Sequence, residues 1–256
     1  MKRRIPILAF ALALAAIVAA SLPSSASAQL PEEFTNLQVL PEDIATPELI
    51  GYMRGFAMGL GVRCTHCHVG EEGRPFSEFD FASDEKEPKR KARFMLEMTM
   101  ALNSDVLPGI SEVATRTDPA VRVQCVTCHR GVSLPRQINE VVAMAAADGG
   151  GDAAVAKYRE LREVYYGSGS YDFGEQPLIE IASGLGRGDP DAALAIFDLA
   201  LEYYPESVQA LVGTAQVYMA RDDKDAARAA LLKAQELAPD QPQIQRMLQQ
   251  LDGGLK

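Results

Sequence analysis

Two five-residue stretches contain every cysteine of this chain. Residues 64–68 read CTHCH and residues 125–129 read CVTCH, so each has the form C-x-x-C-H. This spacing is the attachment signature of a c-type haem. Two thiols three positions apart reach the two vinyl groups on one porphyrin edge, and the next residue ligates the iron. The sequence therefore predicts two covalently attached haem c groups. Their predicted binding residues are Cys64, Cys67, His68, Cys125, Cys128 and His129.

Three other uses of paired cysteines explain the pattern less well. Disulfides in an exported protein give no reason for a histidine directly after each second cysteine. Structural zinc sites rarely place a histidine there. A thioredoxin-like redox C-x-x-C needs a βαβ setting that the sequence does not show. Haem attachment accounts for all three chemical groups of each motif.

The start of the chain has the features of a secretory signal peptide. Residues 2–4 are basic, residues 5–20 are apolar, and residues 26–28 are small, as a cleavage site requires. This pattern predicts export to the periplasm, with an uncleaved membrane anchor as the alternative. The net charge of −10 becomes −13 when the three leader cations are removed, which argues against binding nucleic acid.

Two helices are predicted to position the haem motifs. The first begins with Thr46 as its N-cap, runs to about Leu60 and is ended by Gly61. The second begins between residues 84 and 88 and continues to about Asn103. Its apolar, buried side is predicted to contain Met95, Met98, Leu102 and Val106. The charged run at residues 89–91 is predicted to be an exposed face.

We predict that a methionine ligates each iron on the side opposite the motif histidine. The third histidine, His66, lies inside the first motif and is tethered too close to reach the opposite face of its own haem, so two bis-histidine haems are excluded by count. Methionine with histidine raises the reduction potential of the iron. Spacing alone leaves alternatives open. They are Met53 or Met58 for the first haem, and Met95 or Met98 for the second. Four arginines near the motifs are either haem-propionate partners or solvated charges, namely Arg54, Arg63, Arg93 and Arg130.

The end of the chain contains an internal repeat. Residues 189–193 read DPDAA, and residues 223–227 read DKDAA, 34 positions later. A 34-residue helix-turn-helix period is that of tetratricopeptide repeats. A final helix at residues 241–251 is predicted to cover the end of the stack. Two further helices are predicted within residues 136–166, separated by the three glycines at 149–151.

The predicted fold class is mainly α, with a multihaem cytochrome c domain of helix-then-CxxCH units and a C-terminal α-hairpin repeat module. The predicted boundaries are a signal peptide at 1–28, a dihaem cytochrome c domain at 29–135, a helical connector at 136–177 and the repeat module at 178–256.

A family resemblance narrows the choice of ligands. A helix containing Met53 and leading into Leu-Gly-Val-Arg-Cys at residues 60–64 resembles the haem units of the photosynthetic reaction-centre cytochrome c subunit. The stretch Ala-Arg-Phe-Met-Leu-Glu-Met-Thr at residues 92–99, followed later by Cys-x-x-Cys-His-Arg-Gly, is similar to the same family. The resemblance implies that Met53 ligates the haem of His68. It also implies that Met95 ligates the haem of His129, with Met98 in reserve.

The departures from that family limit what the resemblance implies. The photosynthetic subunit typically has four haems, and this chain has two motifs. Where the family offers a further histidine, residues 106–109 read VLPG. We therefore predict an exported, non-enzymatic dihaem carrier of single electrons, serving periplasmic redox proteins or a membrane-bound electron-transfer complex, with the repeats docking a protein partner. The alternatives are a dihaem peroxidase-like enzyme with one open haem and a scaffold whose haems are incidental.

Overall fold

The computed structural model describes residue 31 and residues 33–109 and 122–253, and they are mainly helical. Within these ranges the backbone forms no β-strand, and one isolated antiparallel bridge joins Val69 and Asp80. The predicted leader, residues 1–28, lies outside the described residues. None of the helices in the described ranges combines the length and the apolar character needed to span a bilayer.

Nine α-helices occur in the described ranges. They are α1 (Thr46–Leu60), α2 (Glu87–Ala101), α3 (Cys125–His129), α4 (Ile138–Tyr165), α5 (Glu175–Leu185), α6 (Pro190–Tyr203), α7 (Val208–Ala220), α8 (Lys224–Leu237) and α9 (Pro242–Gly253). Short 3₁₀ turns lie at Cys64–His66, Phe76–Glu78 and Leu107–Gly109, and a π-helical turn lies at Leu102–Val106.

The backbone contacts divide these residues into two compact units. The first-motif unit contains residues 33–46 and Arg63–Met98, and the second-motif unit contains Pro47–Val62 and residues 99–109 and 122–253. Helix α1 therefore belongs with the second motif, although it directly precedes the first motif in the sequence. The predicted domain boundaries at 29–135, 136–177 and 178–256 stay predictions.

Helix α1 begins and ends where the sequence predicts. It starts at Thr46 with Pro47 next, a residue suited to the first turn because its missing N–H is not needed there. Gly61 follows the last helical residue with a φ of +67°, the left-handed conformation that favours glycine. The Val62 N–H then donates to the Ala57 carbonyl oxygen at 3.0 Å, the bond that closes a Schellman cap.

Helix α2 matches its predicted range, but its buried side is not the predicted one. Leu96 and Lys89 are its buried residues, whereas Met98 is 38% exposed and Val106 is 58% exposed. Met98 lies two positions, about 200° of helix, from Leu96, so it faces away from the buried side. Val106 lies in the π-helical turn, whose wider hydrogen bonds shift it out of the α-helical register.

Helices α4, α5 and α6 share one hydrophobic core. Helix α4 is two helical segments joined at Gly149 and Gly150, which confirms the predicted break at the glycines. Its buried Val142 and Tyr158 belong to the same cluster as Leu178 of α5 and Phe197 of α6. The predicted connector and the first repeat helices are thus packed as one body within the second-motif unit.

The repeat helices begin with matched caps. The Asp189 carboxylate accepts from the Ala192 N–H at 2.9 Å, and the Asp223 carboxylate accepts from the Ala226 N–H at 3.1 Å. Each aspartate satisfies an N–H that the first helical turn leaves free. Helix α9 packs on α8 through buried Ile244. The 34-residue spacing therefore marks equivalent helix starts, and the predicted covering helix is confirmed.

Candidate functional site: two haem-attachment motifs

The second motif forms a short α-helix, α3, that is fixed at its start. The Gln124 N–H donates to the Thr127 hydroxyl at 3.0 Å, and the Thr127 N–H donates to the Gln124 carbonyl oxygen at 3.0 Å. One residue earlier, the Asn103 side-chain amide donates to the Val123 carbonyl oxygen at 2.8 Å. Its side-chain oxygen accepts from the Val123 N–H, also at 2.8 Å. Asn103 thus holds both polar groups of the backbone that leads into Cys125.

The exit from the second motif requires two left-handed residues. Arg130 has a φ of +49° and Gly131 a φ of +86°. The Gly131 N–H donates to the Gly59 carbonyl oxygen at 2.9 Å. A side chain at Gly61 would collide with the Gly131 carbonyl group. The glycines at the end of α1 therefore allow two backbones to approach closely.

A serine from the connector also fixes this exit. The Ser170 hydroxyl donates to the Arg130 carbonyl oxygen at 2.6 Å, across 40 residues of sequence, and Ser170 is only 2% exposed. Since Arg130 directly follows His129, this hydrogen bond holds the backbone next to the predicted iron ligand.

The imidazole of His129 is oriented by a backbone group. His129 is buried, and its Nδ1 lies 3.0 Å from the Val132 carbonyl oxygen. A carbonyl oxygen can only accept, so Nδ1 donates its hydrogen and Nε2 keeps the lone pair. This tautomer is the one that a metal-ligating histidine needs when it binds through Nε2.

The first motif adopts a different backbone. Residues Cys64–His66 form a 3₁₀ turn, in which the Cys67 N–H donates to the Cys64 carbonyl oxygen at 3.2 Å. The His68 N–H donates to the same oxygen at 2.9 Å. The ammonium group of Lys86 donates to the Thr65 carbonyl oxygen. This turn is thus contacted by a side-chain cation, whereas the second motif is held next to the backbone of α1.

His68 packs against an aromatic loop. The ring centroids of His68 and Phe81 are 4.9 Å apart in an edge-on arrangement. Phe81 in turn stacks on Phe79 at 5.4 Å and meets Phe76 at 6.0 Å. The three phenylalanines therefore form a small core that also supports the imidazole.

Burial lowers the pKa of His68, and the charge of Lys89 lowers it further, whereas the Phe81 carbonyl acts in the opposite direction. The imidazole is consequently neutral near pH 7 and has a lone pair for a metal. Its Nδ1 is buried and has no hydrogen-bond partner in the described part of the chain.

The predicted exposed face at residues 89–91 is wrong for Lys89. This lysine is 9% exposed, and its ammonium group donates to the carbonyl oxygens of Phe81, Ala82 and Ser83 at 2.8, 2.9 and 2.7 Å. It also pairs with the Asp84 carboxylate at 3.1 Å. Converging acceptors compensate the ammonium for the water that it loses. Lys91, in contrast, is exposed and pairs with Glu87.

The cysteines and their surroundings fit covalent haem. All four thiols are free, and none forms a disulfide. Burial raises the pKa of the Cys67 and Cys125 thiols. Val126, which lies within the second motif, is exposed, and so are Leu134 and Met58 of the second-motif unit, so a flat apolar ring could cover them. The thiols and the two imidazoles match the donor set of haem c.

The predicted methionine ligands stay predictions. Met53 is half-buried on α1, in the second-motif unit, and Met95 is half-buried on α2, in the first-motif unit. Two of the candidate propionate partners have carboxylate partners of their own: Arg63 pairs with Glu72 at 3.0 Å and Arg93 with Asp84 at 2.8 Å.

Sequence reasoning missed three residues that hold the motifs. Asn103 and Ser170 act over 20 and 40 residues, so no local pattern marks them. Lys89 carries a readable signal, because Lys89, Arg93 and the buried Leu96 are spaced i, i+4, i+7 and share one helix face.

Two family comparisons agree with this geometry. The family model described as photosynthetic reaction centre cytochrome C subunit matches residues 19–176, more than half of the chain. The tetratricopeptide repeat model matches residues 185–251. The chain is therefore a c-type cytochrome of electron transfer with covalently bound haem c, followed by tetratricopeptide repeats, and it belongs to the family of the photosynthetic reaction-centre cytochrome c subunit.

Proposed function

We propose that this protein is an exported dihaem cytochrome that passes single electrons between periplasmic redox partners, with its repeat module docking one of them. The observation that carries the proposal is the doubled site. Two C-x-x-C-H motifs each combine free thiols with an imidazole that has a lone pair. When bound, each haem supplies a one-electron Fe(III)/Fe(II) couple.

The protein's own residues have three tasks in this function. The cysteines would hold the porphyrin edge, His68 and His129 would each bind one iron, and we propose Met53 and Met95, with Met98 in reserve, as the second ligands. Hydrogen bonds to the His129 ring and to the Arg130 carbonyl oxygen hold one of these histidines in place. No proton needs to move to a substrate, so the proposal requires no acid–base residue above the iron.

The repeat module supports partner docking. Tetratricopeptide repeats bind other proteins in extended grooves between their stacked helices. Here α5 to α9 form such a stack, and α5 and α6 share a hydrophobic core with α4. We propose that a redox protein, or a subunit of a membrane-bound electron-transfer complex, binds there, and that the leader at residues 1–28 delivers the chain to the periplasm.

The haem count is tested by mass and by visible absorption. The protein, produced in a host that attaches haem c, should weigh two haems more than its polypeptide. The double variant Cys125→Ser, Cys128→Ser should weigh one haem more. A parent protein with one haem or none contradicts the proposal.

The same sample separates electron transfer from peroxidase activity. A ferric spectrum with the weak methionine–iron band at about 695 nm and no high-spin signal supports six-coordinate electron-transfer haems. A high-spin fraction together with peroxide turnover would support the peroxidase-like enzyme instead.

A further inference from the structure

Lys89, Asp84 and Arg93 form a charged cluster beside the first motif. The Asp84 carboxylate lies 3.1 Å from the Lys89 ammonium and 2.8 Å from the Arg93 guanidinium. The side chains of Lys89 and Arg93 are only 11% and 17% exposed. Two cations and one carboxylate leave one net positive charge in this largely buried cluster, which we call the Lys89 cluster.

The Lys89 cluster is linked through Phe81 to the predicted iron ligand of this motif. Lys89 donates to the carbonyl oxygen of Phe81 at 2.8 Å, and the ring of the same Phe81 packs edge-on against His68. Lys89 also binds the next two carbonyl oxygens of this loop. One lysine therefore fixes the loop that supports His68 and places a charge at that loop.

The arrangement is built for a charged ammonium group. All four partners of Lys89 are acceptors, three carbonyl oxygens and one carboxylate, and an ammonium group has only donors to offer. The single carboxylate is shared with Arg93, so it offsets only one of the two cations. A charge held away from water acts over a longer range than one on the surface.

We propose that the Lys89 cluster raises the reduction potential of the haem at the first motif and positions its axial His68 through Phe81. An iron that gains an electron loses one positive charge. A fixed positive charge nearby therefore favours the reduced state. The second motif has no such cluster among the described residues that contact it, where its partners are backbone groups and neutral side chains. The inference rests on the proposed dihaem function and adds a difference between the two haems.

The experiment is a spectroelectrochemical titration of the full haem-loaded protein and its variants. Lys89→Met removes the cation, and we expect the oxidised-to-reduced ratio of one haem at fixed potential to rise about tenfold, a fall of about 59 mV for a one-electron couple. Asp84→Asn removes the carboxylate and should shift the same haem in the opposite direction. The other haem should keep its potential in both variants.

Two further variants separate charge from structure. Lys89→Arg keeps the charge and should stay within about twofold of the parent, whereas Lys91→Met removes an exposed lysine of the same helix and should change nothing. If Lys89→Met fails to load haem, Asp84→Asn still tests the charge, because its potential should lie above those of both the parent and Lys89→Arg.

Equal potentials in all variants would overturn the inference, and so would shifts of the same sign in Lys89→Met and Asp84→Asn, which would mean that the cluster only holds the loop. A parent protein with fewer than two haems by mass would instead overturn the proposed function, so the two failures can be distinguished.

Discussion

The two haem motifs have the same five-residue form but different conformations and different supports. The first is a 3₁₀ turn followed by Val69, whose carbonyl oxygen accepts from the Asp80 N–H at 2.9 Å. The second is an α-helical turn followed by two left-handed residues, Arg130 and Gly131. The spacing of the cysteines determines which attachment chemistry is possible. The residues that follow the histidine determine the backbone conformation of each motif.

The supports differ in kind as well. Lys86 and the ring of Phe81 contact the first motif, and Lys89 of α2 binds the loop that contains Phe81. Backbone-to-backbone bonds and neutral side chains hold the second. We therefore expect the first motif to respond to charge and pH, and the second to respond to steric changes and lost hydrogen bonds.

The largest expected effect is steric and belongs to the second motif. Gly61→Ala puts a side chain at a φ of +67° and against the Gly131 carbonyl group. We expect a loss of about 3 kcal/mol of stability, from the left-handed strain and the collision together. Thermal unfolding followed by circular dichroism measures it.

The matched control for this variant is Gly73→Ala. Gly73 also has a positive φ, +82°, but nothing lies within 4 Å of the added carbon. It should cost about 1 kcal/mol, the strain alone. Equal losses in the two variants would show that the close approach of Gly61 and Gly131 contributes nothing.

The loss of Asn103 should be the next largest effect. Asn103→Ala leaves the Val123 N–H and carbonyl oxygen without their side-chain partners, and we expect a cost of about 2 kcal/mol. Lys86→Met removes one hydrogen bond to the Thr65 carbonyl oxygen of the first motif and should cost about 0.5 kcal/mol. Urea unfolding measures the loss of stability in both variants. A larger loss in Lys86→Met than in Asn103→Ala would contradict the expected order.

Ser170→Ala should have a smaller effect on stability. The variant leaves the Arg130 carbonyl oxygen without its buried donor, at a cost of about 1 kcal/mol. Hydrogen exchange should rise for the amides around His129. Ser183→Ala, at an exposed position of α5, is the control and should leave the melting temperature unchanged. Unaltered exchange near His129 in Ser170→Ala would mean that the serine does not hold the motif.

The smallest expected effect is a difference in acid sensitivity. Partial burial raises the pKa of Asp84, but hydrogen bonds from Asn36, Lys89 and Arg93 hold it well below its ordinary value of 3.8. Because the pKa of Asp84 is lower in the folded state than in the unfolded state, its ionised form contributes stability that is fully present above pH 3.8. This stability is lost as the pH falls from there through the folded-state pKa. Acid titration should therefore perturb the absorption of the first haem before the second, and Asp84→Asn should remove the difference.

The sequence predicted those parts of the fold that local chemistry determines. Pro47 and Gly61 mark the two ends of α1 because a first-turn proline and a left-handed glycine act within one helical turn. Asp189 and Asp223 marked the repeat because each caps its own helix. The haem-binding roles of the residues in the two motifs stay predictions.

The rest depended on distant partners. Nothing near Ser170 indicates that it binds the carbonyl oxygen of Arg130, and nothing near Gly59 indicates that it accepts from Gly131. Lys89 was misjudged because a run of three cations is usually solvated, whereas here the acceptors come from a loop that folds back on the helix. Charge patterns alone did not reveal that loop.

The core shared by α4, α5 and α6 limits how this chain can be recombined. Leu178 packs in the same cluster as Val142 and Tyr158. A chimaera joined at residue 177 would therefore separate side chains that pack together in each parent protein. Exchanging the repeats between relatives would require a crossover before Ile138, which transfers the connector as well. Inheritance of the repeats is thus tied to inheritance of Ser170, the serine that holds the backbone beside the predicted iron ligand His129.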